Sequence, residues 1–267
     1  PHIVWGAWCA KQLKVPFIAD LYDNFEGFGQ ARIPGMKHLL RQAVCQAQLV
    51  TTTSQPLAEL VIHDYAAQAK VVSLPSTVDL TTFRPGNKSN ARERFGLLSN
   101  KQYIGTAGGL YKDKGVEVIY QAWEKLKHEM PNVHLVLAGP YQPDYPPPEE
   151  ERVHYLGSLA HHEISTLFQA LDLGIISILD TPFGRYCFPQ KAYEMLACEL
   201  PVVVANIGEM SYLFRDSPQV LFQTGNANDL ASKIQQQLQS PQQQSIVVED
   251  WATIIERLEP MITALKF

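Results

Sequence analysis

Residues 103–139, YIGTAGGLYKDKGVEVIYQAWEKLKHEMPNVHLVLAG, decide the fold class. Tyr103 to Thr106 reads as a strand and Gly108-Gly109 as a turn. Gly115 to about Glu129 reads as a helix, and Val133 to Ala138 as a buried strand closed by Gly139-Pro140. The second strand is apolar throughout, the pattern of a sheet covered by helices on both faces. Strands joined through a helix lie parallel, and each crossover is right-handed.

The same rhythm runs outward in both directions. Downstream, a proline-rich loop from Tyr141 to Glu151 leads to a strand at Val153–Leu156, a helix near Glu163–Leu171 and a strand at Leu173–Ile178. A helix at Pro189–Cys198, strands at Val202–Ala205 and Val220–Phe222, and a helix at Asn228–Leu238 continue the series. The glutamine-rich stretch Gln235–Gln244 is a polar helix end and loop, and an amphipathic helix spans about Glu249–Leu265. Upstream, Ile3–Trp5 and Pro16–Ala19 read as short strands, with a helical turn over Ala7–Lys14 between them. A helix at Met36–Ala47 and a strand at Leu49–Thr52 follow. Ser54 is an N-cap with Pro56 just inside a helix to about Tyr65, and Val71–Leu74 is one more strand. Pro75 to Asn90 reads as an extended linker. The expected product is one complete doubly wound domain preceded by a smaller α/β piece.

Composition limits the function. The 267 residues are 46% apolar and 18% charged, which suits a packed globule. A net charge of −5 argues against nonspecific nucleic-acid binding. Apolar runs such as Leu173–Leu179 fall well short of the roughly 20 residues of a membrane span. Cys9, Cys45, Cys187 and Cys198 lie far apart without a CxxC pair, so a reducing, cytoplasmic setting is expected. The chain opens at Pro1 with neither an initiating methionine nor a signal peptide, and a segment upstream is expected.

In open α/β sheets ligands bind outside the carboxyl ends of the strands, and three stretches stand there. Gly108 to Gly115 places glycines, a helix start and Lys114 together, which is a phosphate site in outline or an ordinary turn with a solvated lysine. It is neither a Walker loop nor a G-x-G-x-x-G turn. Phe188 to Cys198 is a mostly apolar helix carrying Glu194. Its carboxylate either accepts the vicinal hydroxyls of a ribose or pairs with Lys191 three residues before it. The loop Asp180 to Cys187 presents Arg185 to a substrate or is only a long connection. In the first piece, Asp20, Asp23 and Glu26 make an acidic loop, fit for a metal or hydroxylated ligands or simply solvated. His161 and His162 are adjacent on a helix and cannot share a metal, so they receive no role.

Together these stretches resemble the retaining glycosyltransferases of family 4, which have the GT-B architecture of two Rossmann-like domains. Val72 to Leu80 leading to Phe83-Arg84-Pro85 is similar to the family's interdomain signature, and Gly108 to Gly115 to its glycine-lysine turn. Val133 to Gly139 is similar to its second strand. Pro189-Gln190-Lys191…Glu194 through Pro201-Val202-Val203 resembles P-x-K-x-x-E-x-x-A-x-G-x-P-V-V. The resemblance implies an α/β GT-B fold. Residues 1–85 would form a partial N-terminal, acceptor-side domain and 86–248 a complete nucleotide-sugar-binding domain. Residues 249–267 would form a helix packing back toward the first domain.

The implied activity is transfer of a sugar from a nucleotide diphosphate to an acceptor hydroxyl, a glycan or lipid-linked sugar, in polysaccharide or glycolipid synthesis. Neither cofactor nor divalent metal is implied, because protein cations and dipoles stabilise the leaving group. Lys114 would bind the diphosphate, Gly108-Gly109 would make room for it, and amides near Gln190 and Lys191 would meet phosphate oxygens, with Pro189 ahead of them in the donor site. Glu194 would hold the ribose, Arg185 would join the donor site, and Asp23 would contact the transferred sugar or acceptor. Three positions depart from the family pattern. Gly109 stands in place of an arginine, Tyr186 in place of the first glutamate of E-x7-E, and Glu199 in place of a helix-ending glycine. These departures leave open a sugar-nucleotide-binding module supporting a partner chain, and the architecture also admits a nucleotide-sugar epimerase. Arg32, Lys37 and Arg41 would meet the inner face of an anionic membrane or form a solvated helix face.

Overall fold

The computed structural model describes residues 2–27, 33–65, 67, 69–242, 244 and 246–266. Pro1 and Arg32 lie outside them. The chain divides into two compact units. The first comprises Pro1–Ser76, Thr181–Phe188 and Glu249–Phe267, and the second Thr77–Asp180 and Pro189–Val248.

In the first unit, α1 (His2–Leu13), β1 (Ile18–Leu21), α2 (Met36–Cys45), β2 (Leu49–Thr52), α3 (Gln55–His63) and β3 (Lys70–Ser73) alternate. The strands form a parallel sheet in the order β1-β2-β3. Ala19, Leu21, Val44, Val50, Leu57 and Val61 make its core. The Ser54 hydroxyl accepts from the Leu57 N–H as an N-cap and donates to the Tyr186 carbonyl at 2.6 Å. One expectation is corrected here: Ile3–Trp5 is not a strand but the first turn of α1. A short apolar run fits either structure, and the small Ala7 and Ala10, three apart and buried, give the helix its inner face. Trp5 and Trp8 are left outside.

The second unit holds α4 (Lys88–Arg94), β4 (Gln102–Ala107), α5 (Val116–Glu129), β5 (Val133–Ala138), β6 (Val153–Tyr155), α6 (His161–Ala170) and β7 (Leu173–Ile176). It continues with α7 (Lys191–Ala197), β8 (Val202–Ala205), α8 (Gly208–Leu213), β9 (Leu221–Phe222) and α9 (Ala227–Gln239). Its sheet is wholly parallel in the order β6-β5-β4-β7-β8-β9. That is the dinucleotide-fold order, with its switch point between β4 and β7. Every residue of β5 is buried, which is why its sequence shows no polar alternation. Gly174 on β7 is needed for space, because a Cβ there would come within 2.5 Å of Met195 Sδ and 3.1 Å of Leu200 Cδ2. The last helix, α10 (Trp251–Thr263), belongs to the first unit.

The stretch expected as an extended linker is packed instead. Val78 and Phe83 are buried, and α4 starts at Lys88, capped by the Asn87 side chain on the Asn90 N–H. Asp172 holds α4 in place through Lys88, Arg92 and the Tyr103 N–H. These partners lie about 70 to 84 positions apart, so no local pattern could signal them. The short α8 likewise forms where no helix is expected.

Helix α7 ends in a Schellman turn. The Leu200 N–H reaches the Met195 carbonyl at 3.0 Å, and the Glu199 N–H reaches Leu196 at 2.9 Å. Glu199 therefore sits at φ +56, a conformation that strains any residue with a Cβ. Glu199→Gly is expected to raise stability by about 0.5–1 kcal/mol in urea unfolding.

On β5 and β6, His134 Nδ1 and His154 Nε2 are 3.0 Å apart with stacked rings. Burial holds both imidazoles below their ordinary value, and for His134 the neighbouring His154 adds to this. Such groups are neutral in the native state, while the unfolded chain takes up protons below about pH 6.5. Stability should therefore fall as pH drops from 7 to 5.5, and the slope measured by denaturant midpoints should flatten in His154→Gln.

Candidate functional site

The carboxyl ends of β4, β5 and β7 are drawn together by glycines. A Cβ on Gly139, after β5, would lie 2.1 Å from the Gly108 carbonyl, so the chain after β4 passes against the chain after β5 backbone to backbone. A 3-10 turn over Lys112–Lys114 ends at Gly115, φ +70, which opens α5. The Ser177 hydroxyl beyond β7 donates to the Gly115 carbonyl at 3.0 Å and lies 2.3 Å from where a Cβ would stand. Only glycine fits both the backbone and the space there. Lys114 is fixed between that pinned residue and the turn, half-buried rather than freely solvated.

From the other side of the switch point comes Lys191, the first residue of α7. Its Nζ lies 3.4 Å from Thr106 Oγ1 and 3.5 Å from the place a Cβ on Gly108 would take. Burial, with Lys114 facing it, pushes this ammonium down to about 8, while Glu194 acts in the opposite sense. Two like charges thus meet over a turn that has no side chains of its own at Gly108 and Gly109. Bringing them together costs free energy that an anion between them relieves. Helix α7 has only seven residues, so the lysines rather than its dipole supply most of the positive field.

Glu194 stands one turn along α7, half-buried. Burial pushes its carboxyl up, partly offset by His161 and Lys191. No hydrogen bond reaches the carboxylate among the described residues, and Lys191 is not close enough to form an ion pair with it. The simple i, i+3 pair between Lys191 and Glu194 is therefore not what the structure forms. The Gln190 side chain is used elsewhere, donating to the Thr77 carbonyl at 3.3 Å. Helical hydrogen bonding already begins at Pro189, whose carbonyl accepts from Ala192.

A family model described as Glycosyl transferases group 1 matches residues 101–240. The chain belongs to that family. It is 27% identical over 243 residues to a protein named D-inositol 3-phosphate glycosyltransferase from Stackebrandtia nassauensis, covering 85% of this chain and 52% of that one. The protein of the same name from Mycobacterium bovis is 28% identical over 189 residues, 66% of this chain and 38% of that one. The chain thus spans about half or less of the length of these relatives. Among solved structures, Anabaena HepE in complex with UDP matches with a TM-score of 0.80 at 22% identity, over 98% of this chain and 76% of that one. Sucrose-phosphate synthase from Thermosynechococcus elongatus matches with 0.76 at 18%, over 96% and 70%. At these identities the likeness is one of fold, and the fold is α/β of the GT-B type.

In this group 1 glycosyltransferase chain the residues expected to act together fall into different units. Gly108, Gly109, Lys114, Pro189, Gln190, Lys191 and Glu194 belong to the second, Asp23 and Arg185 to the first. Arg185 is exposed and Asp23 half-buried. The acidic loop around Asp23 is largely committed to structure, since Asp20 accepts from Thr51 at 2.6 Å and Glu26 is gripped by Arg41 through two hydrogen bonds. Arg41, expected to face an anionic surface, spends its charge there. Among the described residues no helix is long and apolar enough to cross a membrane, and no group of three potential metal ligands occurs. Tyr186, at the family's glutamate position, packs against the first unit's core. Local patterns gave no sign that His161 meets the buried Phe83 edge to face, because that contact joins residues far apart in the chain.

Lys191 gives the site a pH signature. An anion needs the charged ammonium, which is lost as pH rises through about 8. Calorimetry with inorganic pyrophosphate should show affinity falling by about tenfold from pH 7 to 9, the scale of one lost charge contact. In Lys191→Arg the profile should be flat over that range.

Proposed function

We propose that this chain is the donor-binding part of a retaining glycosyltransferase of family 4, with a nucleoside diphosphate sugar as donor and an acceptor hydroxyl on a glycan or lipid-linked sugar. The observation that carries the reading is Lys191 held against the Gly108 turn, with the charge of Lys114 acting on it and Glu194 one helical turn away. A diphosphate offers the oxyanions that the two ammonium groups need, and a pentose offers the paired hydroxyls that a carboxylate accepts. UDP is the first base to test, because HepE, a relative in fold, was solved with UDP and with UDP-glucose.

In the reaction, the bond between the sugar's anomeric carbon and the diphosphate oxygen breaks. The acceptor hydroxyl gives its proton to the departing diphosphate, and its oxygen bonds to that carbon with the configuration kept. The negative charge that builds on the departing diphosphate falls between Lys114 and Lys191, held in place before the bond breaks. Arg185 and Asp23 are the residues of the first unit to test for donor and sugar binding. Neither a metal nor a cofactor has a role in this scheme.

A second reading, a sugar-nucleotide-binding module without turnover, has one observation behind it. Tyr186 occupies the glutamate position and packs against the first unit's core. UDP-glucose binding with no release of glucose or UDP, with or without added acceptors, would favour it. Product formed without any acceptor would point to an epimerase instead.

Glu194→Ala should weaken UDP binding by about 1–3 kcal/mol, the scale of charge-assisted hydrogen bonds. A calorimetric loss of only a few tenths would remove the pentose role. Lys114→Ala should cost UDP more affinity than uridine, and equal losses would contradict the diphosphate assignment.

A further inference from the structure

Strands β4 and β5 pair as far as Ala107 and Ala138, but the chains leaving them do not separate there. The Gly108 N–H donates to the Ala138 carbonyl at 3.0 Å and the Leu110 N–H to the Pro140 carbonyl at 2.8 Å. The Gln142 N–H returns to the Leu110 carbonyl at 3.4 Å. Leu110 and Tyr141 bridge in the parallel sense, so the loop after β5 runs as a rail beside the glycine turn. The last contact of this run comes from a side chain. Gln142 Oε1 accepts from the Lys112 N–H at 2.9 Å, across 30 positions of sequence.

That bond meets the 3-10 turn Lys112–Lys114 at its first residue. At the far end the Ser177 hydroxyl donates to the Gly115 carbonyl at 3.0 Å. Within the turn, the Lys114 N–H reaches Tyr111 at 3.1 Å and the Gly115 N–H reaches Lys112 at 2.9 Å. A single turn of this kind does not hold its shape alone. Its two ends are tied by side chains from other segments, and Lys114 lies between the ties.

The rail is itself held. Pro140 and Pro143 fix φ on either side of Tyr141 and Gln142, and the Gln142 carbonyl accepts from the Tyr145 N–H at 2.8 Å. From β6, the Tyr155 hydroxyl donates to the Gly139 carbonyl at 2.9 Å, and its ring meets Tyr141 edge to face with centroids 5.6 Å apart. The Gly139 N–H donates to the Gly157 carbonyl at 2.7 Å. The proline-rich loop is therefore a stiff support and not a slack connection.

We propose that Gln142 is a positioning residue for Lys114, its side-chain oxygen fixing the start of the turn so that the ammonium is already ordered when a diphosphate arrives. The proposal rests on the anion role given to Lys114 above. Gln142 acts through Lys114 and takes no part in bond making. Without its acceptor the Lys112 N–H turns to water, the turn keeps only its tie at Gly115, and the lysine must be ordered during binding. Affinity falls by the cost of that ordering.

The test is a cycle of four chains, wild type, Gln142→Ala, Lys114→Ala and the double variant, with inorganic pyrophosphate as the probe in calorimetry at pH 7. Gln142→Ala should weaken binding by about three- to tenfold, the scale of one hydrogen bond. The same substitution made in Lys114→Ala should change affinity less than about twofold, because the residue it acts through is gone. Equal losses in both backgrounds mean a general structural role and overturn the proposal, as does an unchanged affinity in Gln142→Ala. Amide exchange by NMR gives a second readout without ligand. The Lys112 N–H should exchange faster in Gln142→Ala, and an unchanged rate also overturns the proposal. Should that variant not fold, Gln142→Met, which keeps the length without the acceptor, carries both measurements. Pyrophosphate binding that is absent in wild type, or equal with and without Lys114, removes the anion role of Lys114 and the proposal with it.

Discussion

One ammonium group held against a glycine turn, with a second charge opposing it, is the constraint from which the second unit's candidate site follows. Lys114 comes from the turn after the central strand β4, and Lys191 from the start of α7, across the switch point of the sheet. Like charges at such a place oppose one another, and burial adds to the cost, which is why Lys191 gives up its proton near pH 8. The fold meets that cost through contacts that do not involve ligand. Gly115 is locked by Ser177, Gly139 by the backbone of Gly108, and Gly174 lets α7 settle onto the sheet. An anion is the natural complement of the result.

Glu194 supplies the opposite chemistry on the same helix. Lys191 at the first helical position and Glu194 three residues later are neighbours, yet they do not close into a hydrogen-bonded pair. The ammonium is drawn toward Thr106, and the carboxylate accepts no hydrogen bond among the described residues. One short helix thereby carries a donor turned to the glycine turn and an acceptor three residues on. The first unit holds its own polar groups more tightly. Glu26 and Arg41 neutralise each other, Asp20 serves Thr51, and Tyr186 packs against the core.

Alternation of apolar runs and helices was enough to identify nearly every strand, because strands buried on both faces are written as unbroken apolar segments. Val133–Ala138 and Val202–Ala205 are strands over the whole expected range. The cap at Ser54 was also legible, since capping is a contact over three residues. Misreadings came where distant partners decide the outcome. Helix α4 is secured by Asp172, far along the chain, and the apolar opening of α1 is helical because Ala7 and Ala10 pack inward.

By itself the sequence determined the parallel α/β class, the glycine turn with Lys114, and the helix bearing Lys191 and Glu194, all of which depend on residues close together in the chain. Only the tertiary structure decided that Lys191 turns toward Thr106 and not toward Glu194, and that Gln190 is tied to Thr77. The physical reason is that a side chain's charge state and direction follow from what other elements bring against it. Sheet order and helix packing set those neighbours across tens of residues, and no local spacing records them.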